Sequence, residues 1–339
     1  MKLVSFLIDD EDQLAILVDE TLYPTIDLDE KLPDNMQDFL WEAEVVLDLA
    51  KGYDLKIKED SSKFKGVPLD SVELLSPVPH PTSCRDAYAF RQHVEAARRN
   101  RGVEMIPEFD QFPVFYNANH LAIDGPGDIV CMPDHFQKLD FELEIAIVIG
   151  QMGKNIPATE ASDYIAGYMI YNDLSARVMQ MEEMKLNLGP AKGKDFSNIF
   201  GPMMVTPDEL EQYKVEPKDG HIGHNYDLDM KCWVNEKEVS QGNMKDMDWT
   251  FAEIIERCSY GIDLHPGDVI GSGTVGTGCF LELNGTGLRL NKNYEPQWLQ
   301  NKDVVEMEIT GLGRLKNTIL MAETEYSILA LKKDIAETN

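Results

Sequence analysis

The sequence is poor in positive charge. Lys and Arg together number 31 against 60 Asp and Glu, a formal net charge of −29, and so acidic a surface repels a phosphate backbone. Nucleic acid is not an expected partner. Long apolar runs are missing as well: none approaches the ~18 consecutive apolar residues of a membrane span, so no membrane partner is expected either. The first thirteen residues carry one short apolar stretch and then Asp9, Asp10, Glu11 and Asp12, too short and too acidic for a secretory signal. The five cysteines, Cys84, Cys131, Cys232, Cys258 and Cys279, are odd in number, widely spaced and without a C-x-x-C pair. They read as reduced thiols in a reducing compartment, and a cytoplasmic location is the expectation.

The chain has 339 residues, 43% of them hydrophobic, enough for one large domain and a small one. Residues 3–8 and 14–18 read as paired strands, and residues 36–50 carry apolar side chains at helical spacing ahead of Gly52 as a cap. Ser76-Pro-Val-Pro-His-Pro81 favours extended backbone and cannot propagate a helix. It marks the expected boundary between a small N-terminal α+β domain, 1–78, and a larger domain, 79–339. Within the latter, 139–150, 228–234, 268–271, 280–283 and 303–309 read as strands, and 88–101, 174–184 and 250–258 as helices. The fold class is α+β, mostly β, without the regular strand-helix alternation of a parallel sheet.

Three patterns invite a function and lack its context. Gly271-Ser-Gly-Thr-Val-Gly276 matches G-x-G-x-x-G after a strand, but 280–283 reads as another strand where a dinucleotide site needs a helix N-terminus. His221-Ile-Gly-His224 has a metal-like spacing in a polar, Gly-flanked loop, and a surface loop is the simpler reading. No cysteine has a histidine beside it at a telling spacing, so buried thiols are expected.

Other clusters point to chemistry. In a strand, the period of two puts Glu142 and Glu144 on one face, either as the polar side of a half-exposed strand or as paired oxygen donors for a hard cation. Asp173, Arg177 and Gln180 fall at i, i+4 and i+7, one face of a helix, where an ordinary ion pair is the bland alternative. Lys194 lies in a Gly- and Pro-containing loop. Asp86 is a helix cap or a ligand. His93 is a packed histidine or a base, and it stands about 140° from Tyr88 on a continuous helix. Arg85, Arg91, Arg98, Arg99 and Arg101 are five of nine arginines, all within seventeen residues. They are either the basic end of a solvated helix or a reception point for an anion.

In this order, Asp86-x-Tyr88-x-x-Arg91-Gln92-His93, Pro113-Val-Phe-Tyr116, Glu142-Leu-Glu144, Asn172-Asp173-Leu-Ser-Ala-Arg177-x-x-Gln180, Leu188-Gly-Pro-x-x-Gly193-Lys194-x-Phe196, His265-Pro-Gly-Asp268 through Ser272-Gly-Thr274, and Phe280-Leu-Glu-Leu283 together resemble the fumarylacetoacetate hydrolase family. The resemblance implies that family's mixed β-roll behind a small N-terminal domain, usually as a homodimer. It implies that Asp86, Glu142, Glu144 and Asp173 hold one Mg²⁺ or Ca²⁺ per subunit. It further implies that Glu282 orients His93 to activate water, that Arg177, Gln180 and Lys194 stabilise the oxyanion, and that Tyr88, Tyr116 and Thr274 contact substrate. The implied substrate is a small dicarboxylate 1,3-diketone, foremost fumarylacetoacetate from homogentisate and tyrosine catabolism. The family's acylpyruvate hydrolases, oxaloacetate-type decarboxylases and isomerases are the alternatives, and a non-catalytic metal scaffold is a reading of a different class. Met184 stands where the animal enzymes have a carboxylate-binding tyrosine, and the arginine after His93 has no unique counterpart among Arg98, Arg99 and Arg101.

Overall fold

The computed structural model describes residues 1–333. Its main sheet has twelve strands, of which nine organise the molecule: β1 (Lys2–Ile8), β2 (Glu11–Val18), β3 (Thr21–Pro24), β4 (Ser83–Ala87), β5 (Phe115–Ala118), β6 (Leu143–Ile149), β7 (Ile165–Asp173), β8 (Asn198–Val205) and β9 (Asp268–Gly271). They lie in the order β3, β2, β1, β8, β7, β6, β9, β4, β5. Only the β9 and β4 pair in this row is parallel. A second sheet of five strands comprises Lys237–Asn243, Asp229–Val234, Val304–Ile309, Gly313–Met321 and Gly127–Cys131. The five longest α-helices among the described residues are α1 (Ala43–Glu59), α2 (Arg91–Asn100), α3 (Arg177–Glu183), α4 (Phe251–Ser259) and α5 (Phe280–Leu290). The strand-rich α+β architecture is the one the sequence pattern implies.

Strand β6 sits between β7 and β9, and every residue of it is buried. Its side chains alternate between two cores. Leu143, Ile145, Ile147 and Ile149 join one, while Ala146 and Val148 join the other. The second core also holds Met1, Leu3, Leu14, Met36, Phe39 and Leu40, so the N-terminal segment roofs the face that carries Glu144 at its far end. That segment also extends the sheet itself, because β1 pairs with β8 through Lys2↔Val205 and Leu3↔Met204. At roughly 25 cal/mol per Å² of buried apolar surface, a strand covered on both sides is strongly held in register, since a one-residue slip would exchange its two faces.

Register places the polar residues. Asp86 lies opposite Gly271 on one side and Tyr116 on the other. Glu144 lies opposite Tyr171, and Leu143 opposite Asn172. Four expected elements differ. The helix over 36–50 is two helices broken at Glu42, and α1 runs on to Glu59; Gly52 is inside it, because buried Asp54 and Ile57 continue the stripe set by Val46 and Ala50. Residues 280–283 open helix α5 instead of forming a strand, a short apolar run being ambiguous between the two. Helices α2 and α3 begin at Arg91 and Arg177, later than the apolar pattern suggests, so Tyr88 precedes α2 and Asp173 ends β7.

Two glycines test this packing in opposite directions. A Cβ on Gly271 would lie 2.5 Å from Asp86 Oδ1 and 2.8 Å from the Tyr171 ring, so Gly271→Ala is expected to cost about 1–3 kcal/mol in urea unfolding. A Cβ on Gly52 would meet nothing within 4 Å, so Gly52→Ala is expected to stabilise by about 0.4–1 kcal/mol. A neutral Gly271→Ala would contradict the described approach of β9 to Asp86.

Candidate functional site

The twelve residues singled out from the sequence form one connected cluster. Asp86 comes from β4, Glu142 from the turn entering β6, Glu144 from β6 and Asp173 from the end of β7. One oxygen each of Asp86, Glu144 and Asp173 lies within 4.8 Å of the other two. All four carboxylates are buried, Glu144 and Asp173 completely. The half-exposed polar face allowed for Glu142 and Glu144 is therefore not what the chain builds.

Two buried cations stand among them. Lys194 Nζ donates to both Glu142 Oε2 and Asp173 Oδ2. Arg177 donates to Glu142 Oε1 at 2.7 Å, to Asp140 Oδ2 at 2.8 Å and to Gln180 Oε1 at 2.9 Å. The Asp173 to Arg177 ion pair expected from helical spacing is absent from these contacts, because Asp173 is on a strand and the guanidinium turns to Asp140 and Glu142. Tyr116 donates its hydroxyl to Asp173 Oδ2 at 2.7 Å. The Gly273 amide donates to Asp86 Oδ1 at 3.0 Å and Glu144 Oε2 at 2.9 Å, and Thr274 Oγ1 lies 3.3 Å from Glu144 Oε1. The G-x-G-x-x-G segment thus spends an amide on carboxylates. Although a helix does follow it, contrary to the sequence reading, a pyrophosphate would meet negative charge there.

Beside this cluster, His93 on α2 and Glu282 on α5 meet with Nδ1 and Oε2 2.6 Å apart, both buried. Because Tyr88 lies before α2, the angle imposed by a continuous helix disappears, and its ring packs edge-on to His93 with centroids 6.0 Å apart. Asn100 at the end of α2 donates to the Glu282 carbonyl at 3.1 Å, tying the two helices together.

Asp140 escaped the sequence reading. It is fully buried, accepts from Arg177, and caps α5 by accepting from the Phe280 and Leu281 amides at 2.7 and 2.9 Å. Its position two before Glu142 was the available signal. Asn172 entered the sequence reading only as part of a motif, with no role; its Oδ1 accepts from the Glu142 amide at 3.1 Å. His221, by contrast, is tied to Glu253 at 3.0 Å in its loop, and all five cysteines are buried and free.

Charge is unbalanced in this interior. Burial, with Asp173 nearby, pushes Asp86 up to about 7; burial pushes Asp173 up to about 6 in spite of Lys194. Burial and the neighbouring acids carry Glu144 well above the carboxylate range. Burial opposes ionisation of Glu142 too, but Lys194 and Arg177 outweigh it and hold that carboxyl below its ordinary value. Lys194 stays charged because Asp173 and Glu142 overcome its desolvation. Burial pushes Tyr88 up to about 12, leaving it a neutral donor. Asp173 Oδ1 is buried without any hydrogen-bond partner. Three converging hard oxygens with an orphaned acceptor suit a hard divalent cation.

Residues 82–320 match the family described as fumarylacetoacetate (FAA) hydrolase C-terminal. The chain belongs to the fumarylacetoacetate hydrolase family. A mitochondrial oxaloacetate tautomerase of Homo sapiens is 29% identical over 293 residues, 86% of this chain and 82% of that protein. A fumarylacetoacetase of Oryza sativa subsp. japonica is 30% identical over 297 residues, 73% of this chain and 68% of that protein. The structure of a fumarylacetoacetate hydrolase from Exiguobacterium antarcticum superposes with a TM-score of 0.66 at 25% identity, over 95% of this chain and 100% of that one. Maleylpyruvate hydrolase from Sphingobium sp. SYK-6, solved with manganese(II) and pyruvate, shares the fold at 20% identity, with a TM-score of 0.66 and the same coverage. These names span hydrolysis and tautomerisation within the fumarylacetoacetate hydrolase family.

The raised carboxyls make a signed prediction. Asp86 and Asp173 move from 3.8 to about 7 and about 6, so in the metal-free protein their contribution to stability is present below 3.8 and is lost as pH rises through those values. A divalent cation on the ionised set removes that loss. Mg²⁺ or Mn²⁺ in hundredfold excess over its Kd should add about 2.7 kcal/mol, and the rise in Tm should be larger near pH 8 than near about pH 5. A melting shift that shrinks with rising pH would contradict the protonation pattern.

Proposed function

We propose that this enzyme hydrolyses a carbon-carbon bond in a small acidic 1,3-diketone, with fumarylacetoacetate, cleaved to fumarate and acetoacetate, as the substrate of first choice. The observation that carries this reading is the buried 2.6 Å contact between His93 Nδ1 and Glu282 Oε2. It leaves the far ring nitrogen as the base, and a carboxylate on the near one sets the tautomer and stabilises the imidazolium. A decarboxylase has no need of a base for water, and so no need of this pair.

The residues present fit a divalent cation held by Asp86, Glu142, Glu144 and Asp173, Mg²⁺, Ca²⁺ or Mn²⁺ by their all-oxygen chemistry. When bound, such a cation supplies Lewis-acid stabilisation of the enolate charge that develops on the leaving fragment. His93 Nε2 takes a proton from water, and the hydroxide adds to the carbonyl carbon. Arg177 and Lys194 place positive charge beside the oxygen that becomes anionic. As the carbon-carbon bond breaks, its electron pair stays with the departing carbon, and Lys194 or the His93 imidazolium returns a proton to that fragment.

A keto-enol tautomerisation, the reaction named for the human relative, would move a proton with the same base and consume no water. Turnover of fumarylacetoacetate in ¹⁸O-labelled water separates the two: hydrolysis places one labelled oxygen in the fumarate carboxylate. His93→Ala should lower kcat/KM by about 10²–10⁴ while keeping the cation-induced rise in Tm, because His93 lies outside the carboxylate triad. Turnover that survives chelation, a His93→Ala variant as fast as the parent, or unlabelled products would each overturn the proposal.

A further inference from the structure

The site contains a second convergent donor set of different chemistry. His93, Glu142 and Cys279 are buried, and one donor atom of each lies within 4.8 Å of the other two. The carboxylate triad offers only hard oxygens, whereas this set offers an imidazole nitrogen, a thiol sulfur and a carboxylate oxygen. Mg²⁺ and Ca²⁺ gain nothing from sulfur. Borderline-soft cations such as Zn²⁺ and Co²⁺ take that mixture of ligands, and three protein donors with one open position complete a tetrahedral site.

Two features of the fold prepare the set. His93 Nδ1 is engaged by Glu282 at 2.6 Å, so the nitrogen left for a cation is Nε2. A carboxylate behind a ligating imidazole is the arrangement that orients histidine ligands in zinc sites. Cys279 is held by its own helix: it is the N-cap of α5, and its Sγ accepts from the Glu282 amide at 3.5 Å. The same helical turn therefore delivers the sulfur and the carboxylate of the dyad to His93. Among the described residues, no other cysteine belongs to such a group.

We infer that a thiophilic divalent cation, Zn²⁺ above all, binds His93, Glu142 and Cys279 and switches the enzyme off. On binding, the Cys279 thiol loses its proton to solvent and its sulfur bonds to the metal, with no change of oxidation state. The cation then occupies the nitrogen that must accept the proton of water. Binding stands on the donor geometry alone. Its inhibitory consequence rests on the hydrolytic reading above.

The test uses Co²⁺ as a spectroscopic stand-in for Zn²⁺, titrated into full-length metal-free protein, because Glu142 belongs to both donor sets and a filled oxygen site would compete for it. The expected result is a near-ultraviolet thiolate-to-cobalt charge-transfer band that saturates at one cobalt per chain and is bleached by added Zn²⁺. Cys279→Ser keeps an oxygen able to cap α5 and should remove the band and weaken Zn²⁺ binding by at least about tenfold, the loss seen when even an outer partner of a ligand is removed. Cys258→Ser should keep the band. No band in the parent protein, or an undiminished band in Cys279→Ser, would overturn the inference. Both outcomes are read without substrate, so they stand apart from whether the enzyme hydrolyses a diketone.

Discussion

The placement of Lys194 and Arg177 is the constraint on which the interior depends. Five carboxylates, Asp86, Asp140, Glu142, Glu144 and Asp173, are buried together with these two cations. An uncompensated buried charge costs several kcal/mol, so the cations are shared: Lys194 bridges Glu142 and Asp173, and Arg177 bridges Glu142 and Asp140. The sharing is incomplete. Glu142 is held ionised, while Asp86, Glu144 and Asp173 are pushed toward their protonated forms. A protein interior that concentrates like charges and leaves one oxygen without a partner is prepared for a cation from solution.

Asp140 carries this balance into the hydrolytic pair. Its two oxygens join the Arg177 guanidinium to the first amides of α5, where a negative charge also meets the positive end of the helix dipole. Helix α5 in turn presents Glu282 to His93, and Asn100 locks the end of α2 onto the Glu282 carbonyl. The carboxylate cluster and the dyad are therefore one connected piece of structure. Disturbing Asp140 would reach both the charge beside Glu142 and the orientation of the base.

Much of this was legible in the chain. Period two placed Glu144 on the face of β6 that Ala146 and Val148 continue, although Glu142 stands just ahead of that strand instead of in it. Other inferences reached the right residues by the wrong geometry. Asp173, Arg177 and Gln180 do converge, but through a strand end and a short helix, with the guanidinium turned to Asp140. Tyr88 reaches His93 because the helix starts three residues after it. The 280–283 segment misled because its three apolar residues around Glu282 fit either a strand or a helix, and Gly285 and Gly287 argue against a helix until their packing on Asn100 and Tyr294 is known.

Local sequence by itself determined the acidic character of the chain, the faces of its strands and the identity of the residues with chemistry to offer, because charge, hydrophobicity and periodicity act over a few residues. Tertiary structure alone decided which of them are buried together. His93 and Glu282 are 189 positions apart, and Gly273 donates to Asp86 across 187. No local pattern encodes such distances; they follow from the order in which β7, β6, β9 and β4 stack and from the packing of α5 against α2. The same stacking sets how much charge is removed from water, and that burial turns five ordinary carboxylates into a site.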